Sequence, residues 1–499
     1  MALVIRNVHL PSQQGSGDEG LWNVHCQKGR VVRVEHAAQS SRRLAPRVLK
    51  LPAFLRPGRE LDARGKGILL PSLCHAHIHI DKCFLLDQCR PLRSGSFEEA
   101  LKITSEAKTR FALNMDDVYA RGHRLITESI ANGVTSLRAH VEVDNIVGFD
   151  CLDIALQLKS DFARVCDIQI AVFAQDPLFD DADAASLGAN HDLLSRASRR
   201  EGVSAVGSAP YVEHTPAQQQ HNLSAVLALA LARDLHLDLH LDYTLDPATP
   251  PLLPILLEQL RQTHWPAHRK VTIGHGTRYT LFAAADWDAL DIGDLPVAFV
   301  ALPQSDMYMM GRTADQARLA PRGTLPVPYM AARGLEVALS VNNVDNPFTP
   351  QGSADPLVLC PLGVAIYQDA TEETLRTLLV RPGPWIYQKC VSTAAKSSVG
   401  LGAREALLRP EPGAQADFVL LHDNASVRSA VLDPCYTRTT IRGGVVVASR
   451  RGVEWGAWQA RKTAPAYVFG VPVRWDIWIV FWVVVGLWGG WRVGVLLDA

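Results

Sequence analysis

The chain has 499 residues, 47% hydrophobic and 20% charged, with a formal net charge of −1. This is ordinary globular composition, long enough for one large domain plus a smaller one, and a charge so near zero argues against a nucleic-acid or acidic-surface partner. The nine cysteines are scattered and form no CxxC pair, which points to a reducing compartment and excludes a zinc ribbon.

The first residues, MALVIRNVHLPSQQ, have too short an apolar run for a signal peptide, so a cytoplasmic location is expected. Residues 1–67 read as short strands: Leu3–Val8, Leu21–Val24, Val31–Glu35 and Val48–Leu51. Gly-, Ser- and Arg-rich turns separate them, with no helical pattern between, so a small β-structure is expected.

From Ile68 the rhythm changes. Apolar runs at Ile68–Leu73, Thr135–Val143, Ile168–Gln175, Ala205–Tyr211, Leu235–Asp242, Val271–His275, Val297–Leu302 and Val337–Asn342 alternate with helical patterns. Apolar residues at i, i+3 and i+4 mark the helices, as in Asp116–Ala131 and Pro216–Arg233. Eight strands alternating with helices imply an α/β fold with a parallel sheet, and their number predicts a (β/α)8 TIM barrel over 68–400. The helical pattern continues through Ala394. Strand-like runs return over 401–455: Asp417–Leu421, Ala430–Val431 and Thr439–Val447, with a turn at Arg442-Gly443-Gly444. Residues 456–499 form an apolar, Trp-rich tail. Its uncharged core, Ile477–Trp491, would span about 22 Å as a helix, short of a ~30 Å hydrocarbon layer. Extension to Leu497 reaches that length and makes 477–497 a candidate for membrane contact or C-terminal anchoring, alongside a plain appended helix.

In such a barrel the functional side chains come from the C-terminal ends of the strands. Here every strand end is polar: His77-x-His79, His140-Val-Glu142, Gln175-Asp176, Tyr211 with Glu213, His240-Leu-Asp242-Tyr243, His275, Gln304-Ser305-Asp306 and Asn342-Asn343. On a strand, residues two apart share a face. His75, His77 and His79 should therefore project together, as should His236, Asp238, His240 and Asp242. Imidazoles so placed can bind a divalent metal, because each offers a lone pair at neutral pH. The stretch Gln304–Gly323, with three of the six methionines, is a candidate lid.

Leu69-Leu70-Pro71 followed by His77-Ile-His79-Ile-Asp81-Lys82 resembles the first barrel strand of the amidohydrolase superfamily, in its cytosine-deaminase-like branch. The resemblance covers roughly residues 1–450. It implies a small β-sandwich built from both chain ends beside the barrel. It also implies one divalent ion, zinc or iron, held by His77, His79 and His240. His275 matches the histidine that handles the substrate's developing charge or proton. Gln175 matches a glutamine that hydrogen-bonds a cyclic amide, and Asn343 is assigned to the substrate beside it. Two places depart from the family. Tyr243 stands where a proton-shuttling Glu is expected, and Asn342 where a metal-binding Asp is expected. Both carboxylates of the acid/base pair are missing, with Asp242, Asp345 and Glu142 as candidate substitutes.

Two readings stay open. One is a metal-dependent hydrolase of C–N bonds other than peptide bonds, acting on a small cyclic amide or amidine with an altered proton relay and expected to be a homo-oligomer. The other is a binding protein on a catalytically impaired barrel of the same kind. A zinc deaminase of the H-x-E and P-C-x-x-C type is excluded, since Pro434-Cys435 is not followed by a second cysteine.

Overall fold

The computed structural model describes residues 2–11, 20–38, 59–312, 323–379, 396–397, 399, 409–452, 467–468 and 471–472. The expected strand Val48–Leu51, the helical pattern from 380 to Ala394 and the tail stretch 477–497 lie outside the described residues. Among the described residues, no helix is long and apolar enough to cross a membrane.

Strands β1 (Ala2–Val8), β2 (Trp22–Gln27), β3 (Arg30–His36) and β4 (Arg59–Asp62) form one sheet in the order β3-β2-β1-β4. Strand β5 (Ile68–Pro71) follows at once. Then come the eight barrel strands: β6 (Leu73–His79), β7 (Val134–Glu142), β8 (Asp167–Ala174), β9 (Val203–Ser208), β10 (His236–Leu241), β11 (Val271–His275), β12 (Val297–Ala301) and β13 (Val337–Leu339). They pair in sequential order, all parallel. A bridge between Ile78 and Asn342 joins the last strand to the first, with His79 N–H donating to Asn342 O at 2.9 Å and Asn342 N–H to His77 O at 3.2 Å. The ring is thus a (β/α)8 TIM barrel.

The strands are buried on both faces, which is why they read as apolar runs. In β7, Leu137, Ala139 and Val141 face the outer core, while Arg138, His140 and Glu142 take the alternate face.

The chain's second end returns to the β layer. Strands β14 (Phe418–Leu421), β15 (Arg438–Arg442) and β16 (Val445–Arg450) pair antiparallel, and β5 completes the sheet against β14. Leu3, Ile5, Val24, Leu69, Leu420 and Ile441 share one buried cluster between the two sheets. The described residues up to Arg450 belong to one compact unit. In the second unit, from 451 on, Tyr467–Val468 pairs antiparallel with Val471–Pro472.

Two local expectations are corrected. Ile68–Leu73 is not one barrel strand: Ile68–Pro71 belongs to the small sheet, and the barrel begins at Leu73. Proline lacks an N–H for a central ladder, so the chain changes sheets there. Ala430–Val431 lies in the helix Val427–Leu432, whose Ser426 cap and Ser429 bond each other's backbone N–H. The start of the candidate lid, Pro303–Met309, is a short helix with Ser305, Asp306 and Met309 buried; residues 313–322 lie outside the described set. The turn at Gly443-Gly444 is present, both residues having positive φ (54° and 70°).

Candidate active site

The C-terminal mouth of the barrel gathers five imidazoles from four strands. His77 and His79 come from β6, His140 from β7, His240 from β10 and His275 from β11. His77 stacks on His140 with centroids 3.8 Å apart and lies 4.5 Å from His240. Phe173 stacks on the other ring of the group, His240, at 4.0 Å. His75 does not join them. A register shift between His75 and Ile78 turns the strand, and His75 Nε2 meets Ser129 Oγ at 3.1 Å on the covering helix Met115–Ala131.

Three of the rings are held neutral. Burial above all, with neighbouring positive groups adding to it, pushes the pKa values of His77, His79 and His240 well below the usual histidine value. Their lone pairs are therefore available at neutral pH. Several go unused: both ring nitrogens of His77, Nδ1 of His79 and His240, and Oδ1 of Asn342 are buried without a hydrogen-bond partner. Such orphans are costly unless something binds them.

His79 Nε2 and His240 Nε2 face each other at 3.1 Å. Two nitrogens on one tetrahedral zinc at ~2.0–2.1 Å would stand roughly 3.3 Å apart. Donor atoms of His77, His240 and His275 lie within 4.8 Å of one another, as do those of His77, His140 and Asp238. Either of these two groups could hold a divalent ion; His79 belongs to neither and meets the first through His240.

Behind this cluster, His140 Nε2 lies 3.1 Å from Asp238 Oδ1, and Arg138 Nη1 donates to Asp238 Oδ2 at 2.7 Å. Arg138 also donates to Thr272 Oγ1 and Gln169 Oε1, each at 3.0 Å. The guanidinium is fully buried and neutralises the one carboxylate beneath the histidines.

The pocket above is narrow. His79, His240 and His275 line it with Lys82, Gln175, Ser305, Asn342 and Asn343. Four aromatic rings close its sides: Phe97, Tyr211, Tyr243 and Phe348. Tyr243 lies 4.1 Å from the His275 ring, and burial pushes its phenol well above the ordinary tyrosine value. Gln175 is buried with Nε2 unpartnered. Asn342 Nδ2 donates to Ser305 Oγ at 2.7 Å, and Asn343 Oδ1 accepts from Asn346 Nδ2 at 2.8 Å.

None of the three candidate substitute carboxylates stands free in the pocket. Asp242 accepts from Leu252 N–H (2.8 Å), Leu253 N–H (3.2 Å) and Tyr279 Oη (2.6 Å), so it fixes the start of the helix Leu253–Gln262. Glu142 is clamped between Lys82 Nζ at 2.5 Å and Lys108 Nζ at 2.7 Å. Asp345 is half-buried, with Asp87 and Arg124 as its charged neighbours.

Three functional-looking groups were not assigned roles by the sequence. Lys82 follows the His-x-His strand directly and lines the pocket. Lys108 arrives from the helix Phe97–Lys108 and also meets Asp144 and Asp176. Asp306 is the third such residue, 2.7 Å from His275 Nδ1. Its signal was the polar end of β12, but nothing local says which histidine it reaches.

The backbone is unusual at these strand ends. His275 (φ 69°), Asn342 (φ 70°) and Asp242 (φ 51°) all lie in the left-handed region, which costs non-glycine residues on the order of 1–3 kcal/mol each. Gly274 allows close approach: a Cβ there would stand 2.9 Å from Cε1 and Nδ1 of His77. Gly274→Ala should push the His77 ring aside and, with His77 as a metal ligand, would lower metal affinity roughly 10–100-fold, the range seen when a supporting group is disturbed. Titration of the apo protein with zinc checks this; an unchanged affinity would remove His77 from the ligand set.

No family model matches the chain. A stretch of 235 residues is 25% identical to N-isopropylammelide isopropyl amidohydrolase of Pseudomonas sp. (strain ADP), covering 46% of this chain and 49% of that protein. The match thus spans about half the length of the curated relative. Among solved structures, 5-methylcytosine deaminase of Klebsiella pneumoniae superposes with a TM-score of 0.73 at 22% identity, over 90% of this chain and 99% of that one. N-isopropylammelide isopropylaminohydrolase of Burkholderia multivorans gives 0.66 at 22% identity, over 90% and 99%. The chain has the fold of the amidohydrolase-superfamily deaminases.

Proposed function

We propose that the protein is a metal-dependent hydrolase of C–N bonds in small cyclic amides or amidines, with a proton relay altered from that of the proteins it resembles. The observation that carries this reading is the set of buried, unpartnered imidazole nitrogens at the barrel mouth, directly beside a ring-lined pocket. The names of the superposed deaminases support the reaction class.

His77, His79 and His240 would hold one divalent ion, zinc or iron, with Asn342 Oδ1 beside them. When bound, such an ion lowers the pKa of water and polarises the bond to be cleaved. The chain's own residues do the rest. Phe97, Tyr211, Tyr243 and Phe348 meet one another edge-on or tilted, wall the pocket and exclude water. Gln175 pairs an amide edge of the substrate ring, donor to carbonyl and acceptor to N–H, and Asn343 lies on the same wall. Lys82 adds a cation within reach of an oxo group. His275, held at Nδ1 by Asp306, faces the reacting end. Asn342 does not titrate at neutral pH, and the Tyr243 phenol stays protonated there, so neither replaces a carboxylate as a base.

The test joins two measurements. Purified protein is analysed for bound metal, and ammonia or amine release is followed over a panel of cyclic amides and amidines, including N-alkylamino triazines. Bound metal together with chelator-sensitive release is the expected result. The second reading, a binding protein on an impaired barrel, is favoured by Asn342 and by the engagement of Asp242 and Glu142 elsewhere. Ring binding with metal present and no release from any panel member would establish it instead.

A further inference from the structure

Asp306 is wholly buried in the helix Pro303–Met309, at the end of β12. Its Oδ1 lies 2.7 Å from His275 Nδ1. Its Oδ2 accepts from Leu302 N–H at 3.2 Å and from Thr324 Oγ1 at 3.0 Å. Among the described residues it is the carboxylate hydrogen-bonded to a pocket-lining histidine. Glu142 is taken by two ammonium groups, Asp242 by a helix start, and Asp238 by Arg138 and His140 below the pocket.

We infer that Asp306 is a positioning residue that fixes the tautomer of His275 and so gives the pocket a hydrogen-bond acceptor. The inference rests on the hydrolase reading for its purpose, though not for its geometry. With Asp306 ionised its carboxylate only accepts, so a neutral His275 carries its hydrogen on Nδ1 and leaves Nε2 bare. The two donors on Oδ2 hold the carboxylate in place while Oδ1 faces the imidazole. With Nδ1 committed to Asp306, Nε2 is the nitrogen left for a water or a ring N–H. Asn342 cannot provide that arrangement from β13: its Nδ2 is spent on Ser305 Oγ. The carboxylate missing from the last strand is thus met by one at the end of the preceding strand, acting through a histidine.

The test is spectroscopic and uses the full chain with 15N-labelled histidine. Long-range 1H–15N correlation reports which ring nitrogen bears the proton, and the His275→Gln variant assigns its signal among the 17 histidines. The expected wild-type result is a protonated Nδ1 and a bare Nε2. In Asp306→Asn the charge-assisted bond becomes a neutral one of about half the strength, so the Nε2–H form should rise about tenfold. Metal content of that variant should stay at the wild-type level. A wild-type His275 with Nε2–H and a bare Nδ1 would overturn the inference, even if the variant failed to fold. So would an unchanged tautomer in Asp306→Asn, or loss of its metal, which would make Asp306 a support of the ion. Absence of hydrolysis across the substrate panel would sink the hydrolase reading while leaving the tautomer result standing.

Discussion

On the proposed ligand set, His240→Ala should yield protein that binds no divalent ion and shows no hydrolytic activity. Disturbing a group that merely supports a metal ligand costs roughly 10–100-fold in affinity or activity, so removing a ligand should cost at least that. His240 is wholly surrounded: His79 Nε2 at 3.1 Å, the His77 ring at 4.5 Å and Phe173 stacked at 4.0 Å. Alanine removes the imidazole from the middle of this group and supplies no donor in its place. The loss should also appear in stability. An ion present at 100 times its dissociation constant stabilises the folded state by ~2.7 kcal/mol, and the variant should forfeit that gain. Melting curves with and without added zinc would converge for His240→Ala and remain apart for the wild type. His75→Ala is the control, because His75 faces Ser129 outside the barrel. It should retain its metal. Equal metal loss in both variants would mean that the site depends on general packing and not on particular ligands.

Lys108→Met should be among the most destabilising single changes in the chain. Its ammonium is buried and meets Glu142 at 2.7 Å, Asp144 still more closely and Asp176 at 3.8 Å. Removing one partner of a buried ion pair typically costs ~3–5 kcal/mol, since the remaining charge is left uncompensated. Denaturant titration should show the midpoint falling without a change in slope. The double variant Lys108→Met with Asp144→Asn should recover part of the loss.

The network also sets a pH window. Burial lowers the Lys108 pKa, but Glu142, Asp144 and Asp176 outweigh it and hold it well above the usual lysine value. That stability is complete below the unfolded value of ~10.4 and is lost as pH rises through the folded value. Burial raises the Glu142 carboxyl, but Lys108 and Lys82 outweigh it and hold it below the usual range. Its contribution is complete above the unfolded value of ~4.3 and is lost as pH falls through the folded value. The wild type should therefore keep this contribution from roughly pH 4.5 to 10.5, and Lys108→Met should lose the alkaline limb.

The barrel was legible because its signal is local. Each strand announces itself by an apolar run and a polar C-terminal end, and the helices by their own period. The five-imidazole cluster was partly legible too, since His77-x-His79, His240 and His275 each close a strand. The face of His75 was misjudged because alternation holds only while register does, and the shift between His75 and Ile78 breaks it. Asp242 was misjudged for a different reason. Its occupants, Leu252 N–H and Leu253 N–H, are ten and eleven residues away, and nothing in LHLDLHLDY points to them. The partners of Lys82, Lys108 and His275 lie 60, 34 and 31 residues off, where only the closed barrel can introduce them.

That closure governs when the site can exist. The seam between β13 and β6 is made by the bonds that hold the metal-facing strand: Ser340 Oγ donates to His77 O at 2.7 Å across 263 residues, and His79 N–H is tied to Asn342 O. Contacts so distant in sequence pay their loop-closure entropy late. A chain cut before Asn342 would lack these bonds, so the proposed metal site should be absent from it.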